Sequence, residues 1–150
     1  MPQTDVLIIG SGIAGLSFAI KVAKRFPHQS VTVITKADDS ESNTKYAQGG
    51  IAVVLDEITD SFDKHIEDTL RAGDGLCNRE VVELVVKEGP ERLEEIMDWG
   101  VEFDQDESGN LSLGREGGHT AKRIIHYKDV TGLQIEKGLL HQVNKLPNIT

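Results

Sequence analysis

Asp5-Val6-Leu7-Ile8-Ile9-Gly10-Ser11-Gly12-Ile13-Ala14-Gly15 decides how the chain begins to fold. Val6 to Ile9 is a continuous apolar run, the pattern of a strand buried on both faces of a parallel sheet. Gly10, Gly12 and Gly15 follow with the spacing of the G-x-G-x-x-G fingerprint, directly after that strand and at the opening of a helix. In this setting Gly10 permits a tight turn, Gly12 lets a diphosphate approach the backbone, and Gly15 lets the helix pack close to the strand. Ile13, Leu16, Ile20 and Ala23 lie on one helical face, and Pro27 limits that helix. Ser30 to Thr35 is a second, β-branched strand, which completes a βαβ unit of about 30 residues. An acidic residue about 20 positions beyond the fingerprint would bind an adenosine ribose, but Thr35-Lys36 stands there instead. Asp38 and Asp39 lie too far along and read as a solvated loop, so the fingerprint alone does not establish NAD binding.

The polar stretch from Lys36 to Gly50 has no period and reads as a long loop, a length that is usually functional or disordered. Gly49-Gly50, after small and polar residues, can admit a flat ligand to the backbone. Ile51 to Leu55 is a short strand. Asp60 or Ser61 can cap a helix with Phe62, Ile66 and Leu70 on one face and Gly73 at its end. Arg79 to Trp99 reads as a helical pair broken or kinked at Gly89-Pro90. Val101 to Asp104 and Leu111 to Leu113 alternate around Ser108-Gly109-Asn110, the pattern of a small hairpin. Thr131 and Gln134 form a capping-box pattern for a last helix through Leu146. A β-branched run then begins at Ile149. The expected fold class is α/β, Rossmann-like, with a parallel sheet that is incomplete at the carboxyl end.

The chain has 150 residues, a formal charge of -9, 38% hydrophobic and 27% charged residues. A chain of this size can bury roughly 70% of its unfolded surface. No apolar run approaches the roughly 20 residues that span a bilayer, and the acidic balance opposes attraction to nucleic acid or anionic membranes. Neither is expected as a partner. Lys36, Lys45, Arg115, Lys122 and Arg123 could still form a locally basic pocket. Met1 to Asp5 has neither a basic start nor a cleavage site, and Cys77 is the only cysteine, which excludes an internal disulfide. Both features lead to the expectation of a reducing, cytoplasmic location. His28, His65 and His141 fall on or near predicted helix surfaces without partners at metal-ligand spacing, so no metal site is expected.

The fingerprint, Thr35-Lys36, Tyr46-Ala47-Gln48-Gly49-Gly50-Ile51-Ala52, Arg115-Glu116-Gly117-Gly118-His119 and Asp129-Val130-Thr131-Gly132 occur in the order and approximate spacing of L-aspartate oxidases. The chain resembles that family, which belongs to the succinate dehydrogenase and fumarate reductase flavoproteins, over essentially its whole length. The resemblance implies an FAD-binding domain in which Gly10, Ser11, Gly12, Ile13, Ala14 and Gly15 meet the pyrophosphate. It places Lys36 near the adenosine end, and it wraps Asn43, Thr44, Lys45, Tyr46, Ala47, Gln48, Gly49 and Gly50 around the flavin side. Asn43 stands where succinate dehydrogenases carry the histidine bonded to flavin, so noncovalent FAD is implied. Glu116 stands where succinate-handling relatives look aromatic, and a carboxylate there favours a substrate that bears an amino group. His119 is a second candidate for orienting substrate.

The implied activity is oxidation of L-aspartate to iminoaspartate with oxygen or fumarate as acceptor. The product would feed quinolinate formation and NAD biosynthesis, with quinolinate synthase as a partner. The family's proton-handling arginine and carboxylate-binding histidines fall downstream of residue 150. No catalytic residue is therefore expected in this chain, which reads as the amino-terminal part of the FAD-binding domain. Two alternatives stay open: a fumarate reductase or succinate dehydrogenase flavoprotein subunit, and an FAD-binding module without catalysis.

Overall fold

The computed structural model describes residues 3–36, 38 and 41–150. Met1-Pro2 and Asp39, which figure in the expectations above, lie outside them. The chain divides into two compact units. The first comprises residues 1–48, 96–102 and 130–150, and the second residues 49–95 and 103–129.

In the first unit, β1 (Val6–Ile9) leads through α1 (Ile13–Arg25) to β2 (Val31–Ile34). The strands pair in parallel, Val6 with Val31 through Ile9 with Ile34. Ile8, Ala19, Ala23 and Val31 form the core beneath α1, with Leu146 and Ile149 packed against it. Small Ala19 and Ala23, one turn apart, let the helix axis approach the sheet. Asp5 ties the strand ends together, since its Oδ2 accepts from Ser30 N and Oγ at 2.7 and 2.8 Å.

The β-branched run at the carboxyl end adds a third parallel partner. Ile149 bridges Val31, and Val33 N donates to Thr150 O at 2.8 Å. Just before it, Asn148 Nδ2 donates to the carbonyls of Ala23, Phe26 and Gln29, which satisfies orphan acceptors at the end of α1. The expectation that β1 is buried on both faces holds only for the face of Ile8. Leu7 and Ile9, which alternate to the other face, are 54% and 81% exposed. The helices of this unit cover one side of the sheet.

The last helix, α4 (Thr131–Val143), packs against α1. The predicted capping box does not form: Val130 occupies the cap position with no side-chain hydrogen bond, and Thr131 is already inside the first turn and buried. Gly138 lies so close to Val101 that a Cβ there would come within 2.5 Å of its side chain.

In the second unit, α2 (Phe62–Ala72) starts at Ser61, whose hydroxyl accepts from Lys64 N as an N-cap. The helical pair expected over Arg79 to Trp99 is a single helix, α3 (Arg79–Asp98), which contains Pro90 and whose residues 96–98 belong to the first unit. An interior proline costs about 3 kcal/mol. The buried Val86 and Leu93 on either side of it, seven residues apart on one face, offset that cost through packing.

The predicted hairpin forms as a short one: Gln105 and Leu111 make an antiparallel bridge, Ser112 N donates to Asp104 O at 2.9 Å, and the Asp106 side chain organises the turn by accepting from Ser108 N and Asn110 N. Beyond it, β4 (Leu113–Gly114) and β5 (Ile124–Ile125) form an antiparallel sheet with β3 (Ile51–Ala52) in the order β3-β5-β4. Among the described residues no helix is long and apolar enough to cross a membrane.

Steric contact at the glycine turn gives a direct test. A Cβ on Gly15 would sit 2.0 Å from Gly10 O, whereas one on Gly117 meets nothing within 4 Å. Alanine gains about 1 kcal/mol of helix propensity over glycine, far less than a backbone overlap of this depth costs. Gly15→Ala is expected to destabilise by about 2 kcal/mol or more, and Gly117→Ala by less than about 0.5 kcal/mol, read as shifts in the urea midpoint.

Candidate functional site

The end of β1 and the start of α1 form the floor of an open cleft of about 930 Å³ in the first unit. Gly10 adopts φ +107°, a region that only glycine enters without strain, and nothing lies near its missing side chain. Gly10 N donates to Ile34 O at 2.8 Å, and Ser11 Oγ bonds Thr35 Oγ1 at 3.2 Å, so the turn is fixed to the end of β2. Gly12 is the N-cap of α1 and offers no side chain to it. The first amides of the helix are thereby left to a ligand or a neighbour. A neighbour takes one of them: Ile13 N donates to Thr44 Oγ1 at 3.0 Å.

Every fingerprint residue from Gly10 to Gly15 lines this cleft, and so do Lys36, Asn43, Thr44 and Tyr46. The loop beyond residue 42 thus returns to the glycine turn, as the sequence leads one to expect. Lys45 is not a free cation: it pairs with Glu41, which also accepts from Tyr46 Oη at 2.6 Å. The lysine and then the tyrosine hydroxyl hold the Glu41 carboxyl below its ordinary range. Ala47 faces elsewhere, its carbonyl accepting from Gly132 N at 2.9 Å. Gly49 and Gly50 fall in the second unit. The missing side chain of Gly50 serves packing on β5, since a Cβ there would lie 2.4 Å from Ile125 O.

Sequence reasoning missed how the loop is held. A Cβ on Gly132 would meet Thr44 O at 1.9 Å and Ala47 O at 2.7 Å, and Ser42 Oγ donates to the buried Glu136 at 2.6 Å. The first two turns of α4 therefore grip residues 42–47. The Asp129-Val130-Thr131-Gly132 run was visible as a motif, but its role as a clamp needed a contact between residues about 90 positions apart.

Glu116 and His119 lie in the second unit on a tight turn, closed by His119 N donating to Glu116 O at 3.3 Å. Gly118, at φ +86°, supplies the left-handed residue that this turn requires. Glu116 is exposed and His119 half-buried. Beneath them Arg123, counted above among the residues of a basic pocket, is wholly buried and neutralised. Its Nε and Nη2 donate to Asp60 at 2.7 and 2.6 Å, and Nη1 donates to Asp68 at 2.7 Å. Asp68 also accepts from Thr120 N and Oγ1 at 2.8 Å.

Burial alone would raise the Asp68 carboxyl, but the Thr120 amide, Arg123 and the Thr120 hydroxyl together pull it down to about 2. Burial likewise opposes ionisation of Asp60, and Arg123 with the Ser61 amide outweighs it. His65, expected on a helix surface, is buried beside this network; desolvation and then the Arg123 charge lower its pKa.

A parallel β1-α1-β2 unit with an empty-handed glycine turn beneath an open cleft defines a dinucleotide-cofactor-binding domain. The chain belongs to the FAD binding domain family, which it matches over residues 5–150, and FAD is its cofactor. The glycine turn, the uncapped amides of α1 and the open space at Gly10 fit the diphosphate of such a group.

Among relatives, L-aspartate oxidase 2-b, chloroplastic, of Nicotiana tabacum is 52% identical over 145 residues, which is 97% of this chain and 22% of the relative. L-aspartate oxidase of Yersinia pestis is 47% identical over 151 residues, covering 98% of this chain and 28% of the relative. The chain thus spans about a quarter of the length of these proteins. Among solved structures, the quinol fumarate reductase flavoprotein of E. coli superposes with a TM-score of 0.92 at 32% identity, covering 99% of this chain and 25% of that one. These names correct the expectation of a cytoplasmic location, because the plant relatives at 49 to 52% identity are chloroplastic. A domain's interior residues carry no compartment signal, since such addresses reside in separate targeting segments.

Two outcomes follow from this geometry. Gly132→Ala forces the 44–47 loop away from α4 and is expected to weaken FAD binding about tenfold or more, measured by quenching of flavin fluorescence. The depressed Asp68 carboxyl stabilises the fold fully above its ordinary value of 3.8, and that contribution is lost as pH falls through about 2. Stability measured by urea denaturation should therefore decline steeply between about pH 4 and about pH 2, and Asp68→Asn should flatten that decline.

Proposed function

We propose that the chain is the amino-terminal, flavin-holding part of an L-aspartate oxidase, which oxidises L-aspartate to iminoaspartate and passes the electrons to oxygen or fumarate. The observation that carries this reading is the identity of 42 to 52% with L-aspartate oxidases over nearly the whole chain. By its chemistry the reaction would open de novo NAD biosynthesis, its unstable imine passing to a quinolinate-forming partner such as quinolinate synthase.

In this reading Gly10, Ser11, Gly12, Ile13, Ala14 and Gly15 receive the diphosphate on backbone amides, and Lys36 meets the adenosine end. Asn43, Thr44, Lys45, Tyr46, Ala47, Gln48, Gly49 and Gly50 shape the flavin side. Bound FAD supplies a two-electron acceptor for the α-carbon hydride. The protein's share in this part of the chain is placement. Noncovalent attachment is favoured by Asn43, whose amide lacks a nucleophilic ring nitrogen.

Glu116 offers a carboxylate to the substrate's ammonium group, and His119 offers a hydrogen bond to a carboxylate. A fumarate reductase reading draws on the likeness of fold, but an acidic Glu116 would repel a substrate that bears carboxylates alone. In the full-length protein loaded with FAD, aspartate, and not succinate, should bleach the flavin, and acid precipitation should leave the flavin in solution. Glu116→Gln should raise KM for aspartate roughly tenfold or more by removing a charge-assisted contact. Bleaching by succinate, or an unchanged KM in the variant, would sink the assignment.

A further inference from the structure

The Arg123 guanidinium has five N–H donors and no acceptor. Asp60 takes two of them side by side through Nε and Nη2, which fixes the plane and rotation of the group. Asp68 takes one hydrogen of Nη1 at 2.7 Å. The other Nη1 hydrogen is left for His119, whose Nδ1 lies 3.1 Å away. Because Arg123 can only donate, Nδ1 must accept there, and the proton of the ring then resides on Nε2. A ring proton on Nδ1 would instead oppose one N–H to another.

The same network holds the backbone around the ring. Thr120 N is tied to Asp68, Arg71 Nη2 bonds Asp68 Oδ1 at 2.7 Å, and His119 N closes the turn on Glu116. His65 flanks the ring at a centroid distance of 5.9 Å.

We propose that Arg123, locked by Asp60 and Asp68, is a positioning residue that fixes His119 in the Nε2–H tautomer, so that the Glu116–His119 turn presents a hydrogen-bond donor beside an anion. The pair is then complementary to an α-amino acid with a side-chain carboxylate: Glu116 meets the ammonium group, and Nε2–H donates to a carboxylate. This inference rests on the reading of the turn as a substrate site, but the tautomer itself does not.

Imidazole nitrogen NMR on the FAD-loaded protein, with His119 assigned by substitution, tests the tautomer without turnover. The expected result is a pyridine-type Nδ1 and a pyrrole-type Nε2; a protonated Nδ1, alone or in an imidazolium, overturns the proposal. Arg123→Lys should turn the single tautomer into a mixture.

Kinetics on two conservative variants of the full-length protein test the consequence. His119→Gln can place an amide donor near the position of Nε2, whereas His119→Asn mimics only Nδ1. KM for aspartate should therefore rise less in the glutamine variant than in the asparagine variant, by a factor of about ten between them, with kcat less affected. Equal losses overturn the assignment of Nε2–H as the donor. Failure of the oxidase reading would show differently, as full-length wild-type flavin that aspartate does not bleach while the tautomer signal persists.

Discussion

The approach of α1 to the end of β1 is set by a single van der Waals constraint. Gly15 packs against the carbonyl of Gly10 at a distance that no side chain can share, and the chain can turn back so sharply because Gly10 sits at φ +107°. Once those two residues are fixed, the direction of α1 is fixed, and its unpaired amides open onto the cleft rather than into the sheet. Thr44 can reach Ile13 N only because the helix begins there. From Thr44 the order passes to residues 42–47, and through Ala47 and Ser42 to the first turns of α4. The cofactor cleft therefore depends on backbone contacts too tight for any Cβ, at Gly15 in its lining and at Gly132, which packs against residues 44 and 47.

The βαβ unit was legible because its signals are local: an apolar run, three glycines at fixed spacing, an amphipathic helix and a second β-branched run. The return of residues 43–46 to the glycine turn was legible only through a motif. The antiparallel sheet was not, because its strands are two residues long and Ile51 pairs with Ile125, more than 70 positions away. Two-residue strands have no period to read. Pro90 reads locally as a breaker, yet the helix continues through it where Val86 and Leu93 are buried on either side. Gly50 packs on β5 more tightly than a loop residue need do, and Gly132, visible only as part of a motif, is the clamp on residues 44–47.

Arg123 shows the limit most clearly. In sequence it is one cation among 16, and nothing nearby predicts that Asp60 and Asp68, both more than 50 positions earlier, neutralise it. Burying three charges costs several kcal/mol per ion before their attraction and hydrogen bonds repay it. Such a cluster is weak support for stability, and an apolar trio of similar volume could hold the same space. What the ions supply is geometry. A bidentate carboxylate fixes the guanidinium plane, Asp68 fixes the backbone at Thr120, and both leave one N–H with a defined direction. Hydrophobic packing sets positions but not the direction of a proton.

That distinction accounts for the division of labour between the exposed turn and what lies under it. Glu116 is solvent-exposed and held through the backbone of its turn, so its side chain can be exchanged without disturbing the ion cluster. His119, half-buried and in contact with Arg123, cannot be exchanged so freely. A turn built in this way can change the charge it exposes at one position while the next anchored position stays fixed. A substitution at an exposed turn position is the least costly way to alter that charge, because it leaves the anchored backbone where it was.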